Sequence, residues 1–375
     1  MKRIRILSFQ NAQNFGAMLQ AYGLKKTIEG MGYTDVAFLN YNPEYLKKRY
    51  RIFSKRNLFP KQKDLHYLLA WLVNTPFYMI NRFRKKVIFK RFQRDCLGIS
   101  GKEFASPAEI KGLECNYLVC GSDQIWSTWI TGEPDPVFYG EGDYKGLRCI
   151  FSYAASSEIS TYEKSENVAK ISKLLENCNF ISVREKSIQK KLSDITQREI
   201  ELCVDPTLLS GVENFDEIAS ERMINKPYIL VYSYNNDSQL IKDLVQTIPD
   251  YKNYEVHHLS FGVSGRKGTF DRTCHAEVKV EEYISLFKYA SYVVTNSFHG
   301  LAFSLLYHKP FVVAYVEGLS GRCESLLSQI GCSGKLVKSA DDANWDVLDF
   351  NMIDSRIERL RAHSKDFIQK CLDFE

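Results

Sequence analysis

Tyr292-Val-Val-Thr-Asn-Ser-Phe-His-Gly-Leu301 decides the fold class. Three apolar, β-branched or aromatic residues read as a buried strand, and Thr295-Asn-Ser297 as its polar exit. His299 and Gly300 then open an apolar run that reads as a helix. A strand feeding a helix through a polar turn is the unit of a parallel sheet, and its backbone N–H groups at the helix start favour an anion. His299 is placed there to donate a proton or a hydrogen bond. Gly300 admits a close approach of ligand or backbone. The plainer reading is a helix capped by Ser297 with a buried, satisfied histidine.

The same unit recurs in both directions along the chain. Arg3–Phe9 reads as a strand, turning at Asn14-Phe-Gly-Ala17 into a helix that ends near Gly30–Gly32. Strands follow at Asp35–Leu39, Tyr117–Cys120, Arg148–Ala155, Phe180–Val183 and Glu201–Val204. After a polar loop over 210–226 the rhythm restarts with strands at Tyr228–Tyr234, Glu255–Phe261, Tyr292–Thr295 and Pro310–Tyr315. Helical periodicity falls between them, and again from Ile353 to Leu372. Strands alternating with helices predict α/β architecture, and two such runs predict two Rossmann-like domains facing a cleft. The expected division is 1–210, with a basic-aromatic helical insert at about 45–95, then 226–345. A helix within 350–375 is expected to pack back across both.

The chain has 375 residues, enough for two domains, and an ordinary globular composition with 45% hydrophobic and 25% charged residues. Its net charge of +5 is unevenly spread. From Lys47 to Arg94 there are 15 basic residues and one acid, while the rest carries 35 basic and 44 acidic side chains. A membrane or nucleic-acid argument therefore concerns 47–94 alone. No nucleic-acid module accompanies the segment, so nucleic acid is not expected, and its interleaved aromatics suit the surface of an anionic membrane. The bland alternative is a solvated helix pair, broken at Pro76, whose aromatics pack on the first domain. The start of the chain lacks the apolar stretch of a secretory signal, and ten scattered cysteines without a Cys-x-x-Cys suit a reduced, cytoplasmic protein. No histidine or cysteine spacing suggests a metal site.

Candidate chemistry sits where strands end. Cys120-Gly-Ser-Asp-Gln-Ile-Trp126 offers Asp123 as a base towards a hydroxyl, Ser122 and Gln124 to orient it, and Trp126 with Trp129 as faces for a sugar ring. Its plainer reading is an Asx turn with core tryptophans. Asn14 and Gly16 stand at the first strand–helix turn, without the glycine spacing of a dinucleotide site. Arg184 follows another strand and suits a carboxylate or phosphate. Against that stands an ordinary surface pair with Glu185. Together these residues point to a cleft enzyme for an anionic, polyhydroxylated substrate without naming a reaction.

Asn14-Phe-Gly-Ala-Met-Leu-Gln20, Gly121-Ser-Asp-Gln-Ile-Trp126, Ser152-Tyr-Ala-Ala-Ser156, Ser182-Val-Arg-Glu185, Asp205-Pro-Thr-Leu208 and Thr295-Asn-Ser-Phe-His-Gly300 occur in that order, completed by Arg322–Leu327. The series resembles the polysaccharide pyruvyl transferase family of bacterial cell-surface glycan synthesis, over roughly residues 3 to 332. The resemblance implies a glycosyltransferase GT-B-like fold. It also implies transfer of the enolpyruvyl portion of phosphoenolpyruvate to two hydroxyls of a sugar, as in capsule or exopolysaccharide synthesis. The acceptor would be free or lipid-linked, the enzyme would work at the inner face of the membrane, and no metal or organic cofactor is implied. By position it makes His299 the general acid or phosphate ligand, Arg184 the donor clamp and Asp123 the base. Asn14, Gly16, Ser122, Gln124, Trp126, Ser297, Gly300 and Arg322 would contact substrate. Members resemble Arg-Leu-His-Gly where this chain has Ser297-Phe-His-Gly300, so Arg322, Lys309 or another cation must substitute, or the donor differs. A nucleotide-sugar glycosyltransferase and a catalytically silent binding protein of a glycan assembly complex stay open as alternatives.

Overall fold

The computed structural model describes residues 2–51, 65–234, 238–260, 272–275 and 278–375. Residues 52–64 of the basic segment, and Phe261 at the end of one expected strand, lie outside them. Two six-stranded sheets, every pairing parallel, carry the two halves. The first contains β1 (Arg3–Leu7), β2 (Asp35–Phe38), β4 (Tyr117–Asp123), β6 (Cys149–Ala155), β7 (Ser182–Val183) and β8 (Glu201–Leu202), in the order β2-β1-β4-β6-β7-β8. Two short strands, β3 (Leu113–Glu114) and β5 (Tyr144–Lys145), pair separately. The second sheet contains β9 (Tyr228–Ser233), β10 (Glu255–Ser260), β11 (Arg272–His275), β12 (Tyr292–Thr295), β13 (Phe311–Ala314) and β14 (Leu336–Val337). Its order, β11-β10-β9-β12-β13-β14, is the Rossmann arrangement.

Helices cover both faces, so the central strands read as unbroken buried runs. Every residue of β6 and of β9 is buried. One apolar core runs through both halves, and a smaller one lies on one face of the second sheet. The polar loop expected over 210–226 contains a short helix, Val212–Asp216, because Phe215 is drawn into the core against Tyr22 and Phe303. The helix Phe350–Leu372 packs on both halves. Arg356 donates to the Ile330 carbonyl at 2.8 Å, Ser364 accepts the Val204 N–H at 3.0 Å, and Phe367 meets Phe151 edge-on.

The basic segment departs from its expected form. Leu65–Asp95 is one helix, with Pro76 inside it and not a break. Proline costs a helix one hydrogen bond locally. Burial of Phe89, Phe92 and Gln93 holds the C-terminal half of this helix against the protein regardless. No helix among the described residues is long and apolar enough to cross a membrane. Among the described residues nine cysteines are free thiols, of which all but the half-buried Cys96 are buried.

Candidate active site

The two sheets present their carboxyl ends to each other, and the site grows from the strand pairs at which each sheet order reverses. In the first sheet these are β1 and β4. Ser8, just after β1, donates to the Ser122 carbonyl at 3.0 Å and accepts from Gln20 at 2.8 Å. Asn14 then caps the helix Phe15–Gly30, its Oδ1 accepting the Ala17 N–H at 3.1 Å. Asn14 is thereby committed to the backbone.

In the second sheet the pair is β9 and β12. Thr295 donates to the Tyr232 carbonyl at 2.6 Å and accepts the Ser297 N–H at 3.0 Å. Asn296 accepts the Tyr234 N–H at 2.9 Å. This turn sets the start of the fully buried helix Phe298–Leu306. A Cβ on Gly300 would lie 2.1 Å from Thr295 Oγ1. The glycine therefore makes room for the Thr295 side chain on that side. Ser297 occupies the cap position without a capping hydrogen bond, and its side chain serves the buried Tyr232 phenol instead.

The two turns meet. A Cβ on Gly16 would fall 2.1 Å from His299 Nδ1, so the imidazole lies directly against the first turn of the other domain's leading helix. Beside it stands a charged cluster from the ends of β7 and β8. The Arg184 guanidinium bonds Asp205 through Nη1, approaches Glu185 Oε1 through Nε at 3.5 Å, and lies 4.4 Å from the centre of the Phe298 ring. Asp205 accepts the Thr207 N–H at 2.8 Å, and its other oxygen is 4.0 Å from His299 Nε2. Ser156 donates to Glu185 Oε1 at 2.6 Å. All four charged or titratable groups are buried.

Burial sets the direction of the shift at His299 and Glu185, and neighbouring charge sets it at Asp205 and Arg184. Burial lowers His299 below the ordinary imidazole range, against the opposing pull of Asp205 and Asp123. It raises the Glu185 carboxyl despite Arg184 beside it. It also works to raise Asp205, but Arg184 and His299 more than offset it, and the carboxyl lies low. Among the described residues Arg184 Nη2, Glu185 Oε2 and His299 Nε2 have no hydrogen-bond partner. A buried polar atom left so costs about 1–3 kcal/mol. Three such atoms lie together in this one cluster.

Glu185 carries this cluster into a cleft of 590 Å³ between the halves. Gln124, Trp129 and Ile159 line it from the first half, Leu319 and Arg322 from the second. Arg322, second residue of the helix Gly321–Ile330, forms no ion pair among the described residues. Its charge is felt at both His299 and Glu185. Asp123 ends β4 half-buried with φ 75°, and its carboxylate acts on Arg184, His299 and Tyr50.

Two expected contacts fail. Trp126 is 1% exposed, stacked on Tyr139 at 5.0 Å with its indole N–H donated to the Phe138 carbonyl, so it is core and not a sugar platform. Ser122 is also fully buried and donates to the Ala154 carbonyl. Trp129 is 73% exposed at the cleft, with the Arg49 guanidinium 5.3 Å from its ring centre. Asp205 and Glu185 went unassigned from sequence. Asp205 before proline reads as a helix cap, which it also is, and Glu185 beside Arg184 reads as a surface pair. Lys309 is lowered by burial and joins no bond to the cluster. No group of described residues could hold a metal ion.

Comparison with known proteins gives a consistent picture. The UDP-GlcNAc 2-epimerase of Methanocaldococcus jannaschii is 11% identical, with all of both chains covered and a TM-score of 0.50. S. aureus MnaA in its UDP complex is 12% identical over 98% of this chain and 91% of that one, with a TM-score of 0.48. The UDP-GlcNAc 2-epimerase of Neisseria meningitidis bound to UDP-GlcNAc is 8% identical over 100% and 95%, with a TM-score of 0.47. At 11% identity the likeness to the Methanocaldococcus jannaschii enzyme concerns the fold alone, GT-B-like with two Rossmann-like halves. No curated relative matches the sequence. The family model for polysaccharide pyruvyl transferase matches residues 14–317, from the cap of the first helix through the cleft loop before Arg322, and the chain belongs to that family.

Proposed function

We propose that the chain transfers the enolpyruvyl portion of phosphoenolpyruvate to two hydroxyls of a sugar, giving a cyclic pyruvate ketal and free phosphate. The observation that carries this reading is the buried Arg184–Asp205–His299–Glu185 cluster. It keeps three polar atoms unpartnered beside a cleft that also holds the cation Arg322. A small molecule bearing both a carboxylate and a phosphate suits the donors among them, Arg184 Nη2 and His299 Nε2, together with Arg322.

The reaction adds a proton to the methylene carbon, leaving the central carbon electron-poor. One sugar hydroxyl adds there, phosphate departs with the electron pair of its C–O bond, and a second hydroxyl closes the ring. Of the two hydroxyl protons, one balances the new methyl group and the other the phosphate. Burial holds His299 below the ordinary imidazole range even with Asp205 nearby; the donor's phosphate adds negative charge beside it and favours its second proton. His299 then serves as general acid and phosphate ligand. Arg184, fixed by Asp205, clamps the donor, and Arg322 supplies the cation missing at Ser297. Asp123 takes the hydroxyl proton, with Gln124 orienting the acceptor and Trp129 facing its ring. A positioned acid or base contributes roughly 100- to 10,000-fold.

Phosphate release from phosphoenolpyruvate, measured with free and lipid-linked glycosides, tests the reading. Acceptor-dependent release is expected, with loss of donor binding by calorimetry in Arg184→Ala and His299→Ala. Release with no acceptor, or release of a nucleoside diphosphate from a nucleotide sugar instead, would overturn it.

A further inference from the structure

No described side chain of the helix Leu65–Asp95 lines the cleft, yet its second half carries two opposed faces. At 3.6 residues per turn, Ile80, Phe83 and Val87 fall at i, i+3 and i+7 on one stripe. Phe89 and Phe92 fall on the other side, in the core. The outer stripe is open to solvent, with Ile80 48%, Phe83 57% and Val87 52% exposed. A helix that had already buried its apolar face would show polar residues there.

Charge surrounds the stripe. From Met79 to Arg94 the sequence holds seven basic residues and no acid. Lys86 and Lys90 are exposed and in no ion pair with a described residue, while Arg91 and Arg94 share Asp95 at the end of the helix. An aliphatic and aromatic ridge flanked by cations is matched by a surface with negative charge outside and hydrocarbon just beneath. That is the layering of an anionic bilayer, and neither nucleic acid nor an acidic protein surface provides it.

We propose that the outer face of this helix is a membrane-docking surface, lying in the plane of an anionic lipid leaflet with Ile80, Phe83 and Val87 inserted among the acyl chains and Lys86 and Lys90 at the headgroups. The helix lies along the surface and does not span it. The opposite face, through Phe89 and Phe15, stacks on Tyr283 of the second half, so docking holds both halves of the enzyme at the lipid.

The test is co-sedimentation of the full-length protein with vesicles of phosphatidylcholine alone and of phosphatidylcholine mixed equally with phosphatidylglycerol. Binding is expected only to the mixed vesicles and should weaken as salt is raised. Ile80→Ser with Phe83→Ser should reduce it at least about tenfold. Lys86→Gln with Lys90→Gln should weaken it about fivefold per charge removed. Circular dichroism checks that both variants stay folded; because the replaced side chains are exposed, helix content should not change. Equal binding to both vesicles, no binding to either, or unchanged binding in the apolar variant would overturn the proposal. So would a wild-type dimer that the apolar variant converts to monomer, since the stripe would then be a self-interface. None of these readouts depends on activity towards phosphoenolpyruvate.

Discussion

Gly16 and Gly30 open and close the same helix, and they separate two uses of a missing side chain. A Cβ at Gly16 would strike His299 Nδ1, whereas at Gly30 nothing lies within 4 Å. Gly30→Ala should therefore stabilise the helix by about 0.5–1 kcal/mol with activity unchanged. Gly16→Ala must displace the imidazole from its present place beside Asp205, and a misplacement of about 1 Å is enough to cost roughly 100-fold in rate. Steady-state kinetics and thermal melts of the two variants side by side check this; equal activity would mean that His299 has no positional role. His299 also sets a pH dependence. Its folded pKa is depressed, so the stability it contributes is present above the unfolded value of about 6.5 and is lost as the pH falls through that window towards its folded value. His275, pushed down to about 4 by burial and by His257, acts in the same direction. Glu185 has the opposite sign: its folded pKa is raised, so its contribution is complete below about 4.3 and fades as pH rises. Melting temperature should thus fall from about pH 7 to pH 5. His299→Gln should flatten part of that slope, and identical slopes would refute the assignment.

At the scale of elements, strands were the most legible. A central parallel strand is buried on both faces, so Tyr228–Ser233 and Tyr292–Thr295 announce themselves as apolar runs with β-branched or aromatic side chains. The two-residue edge strand Leu336–Val337 carries too few side chains to form a pattern and stays invisible, whereas Glu201–Leu202, equally short, falls within the expected strand Glu201–Val204. The candidate site was legible where a residue ends or follows a strand, as Asp123, Arg184 and His299 do. It was not where one residue serves two purposes. Asp205 caps a helix and anchors an arginine, and only the second duty depends on a neighbour that is 21 residues away. Trp126 misled for a related reason. A tight turn after β4 decides which of two nearby tryptophans faces inward, and the one chosen for the core was Trp126, leaving Trp129 at the cleft. Pro76 shows the limit of punctuation rules, since a helix anchored by tertiary contacts absorbs a residue that would end an isolated one.

For the whole molecule, the boundary between the halves is a matter of topology more than of packing. Phe15 stacks on Tyr283 at 4.8 Å and 20°, Phe215 joins Tyr22 to Phe303, and Lys26 bonds Glu217 across the connection. With the last helix packed on both halves, neither half has a face that can be uncovered alone without exposing shared core. The buried thiols turn that arrangement into a clock. Cys115, Cys120, Cys149, Cys178 and Cys203 sit in the first half, Cys323 and Cys332 in the second, and burial pushes Cys149 and Cys203 up to about 12 and Cys323 to about 11. A thiol so shielded reacts with an alkylating reagent only when its surroundings open. If the halves open together, mass spectrometry of a labelling time course will show these cysteines modified in unison, at one rate. Two rates, split between the sheets, would mean that the shared core yields at the interface first, and that the cleft can gape while each half stays folded.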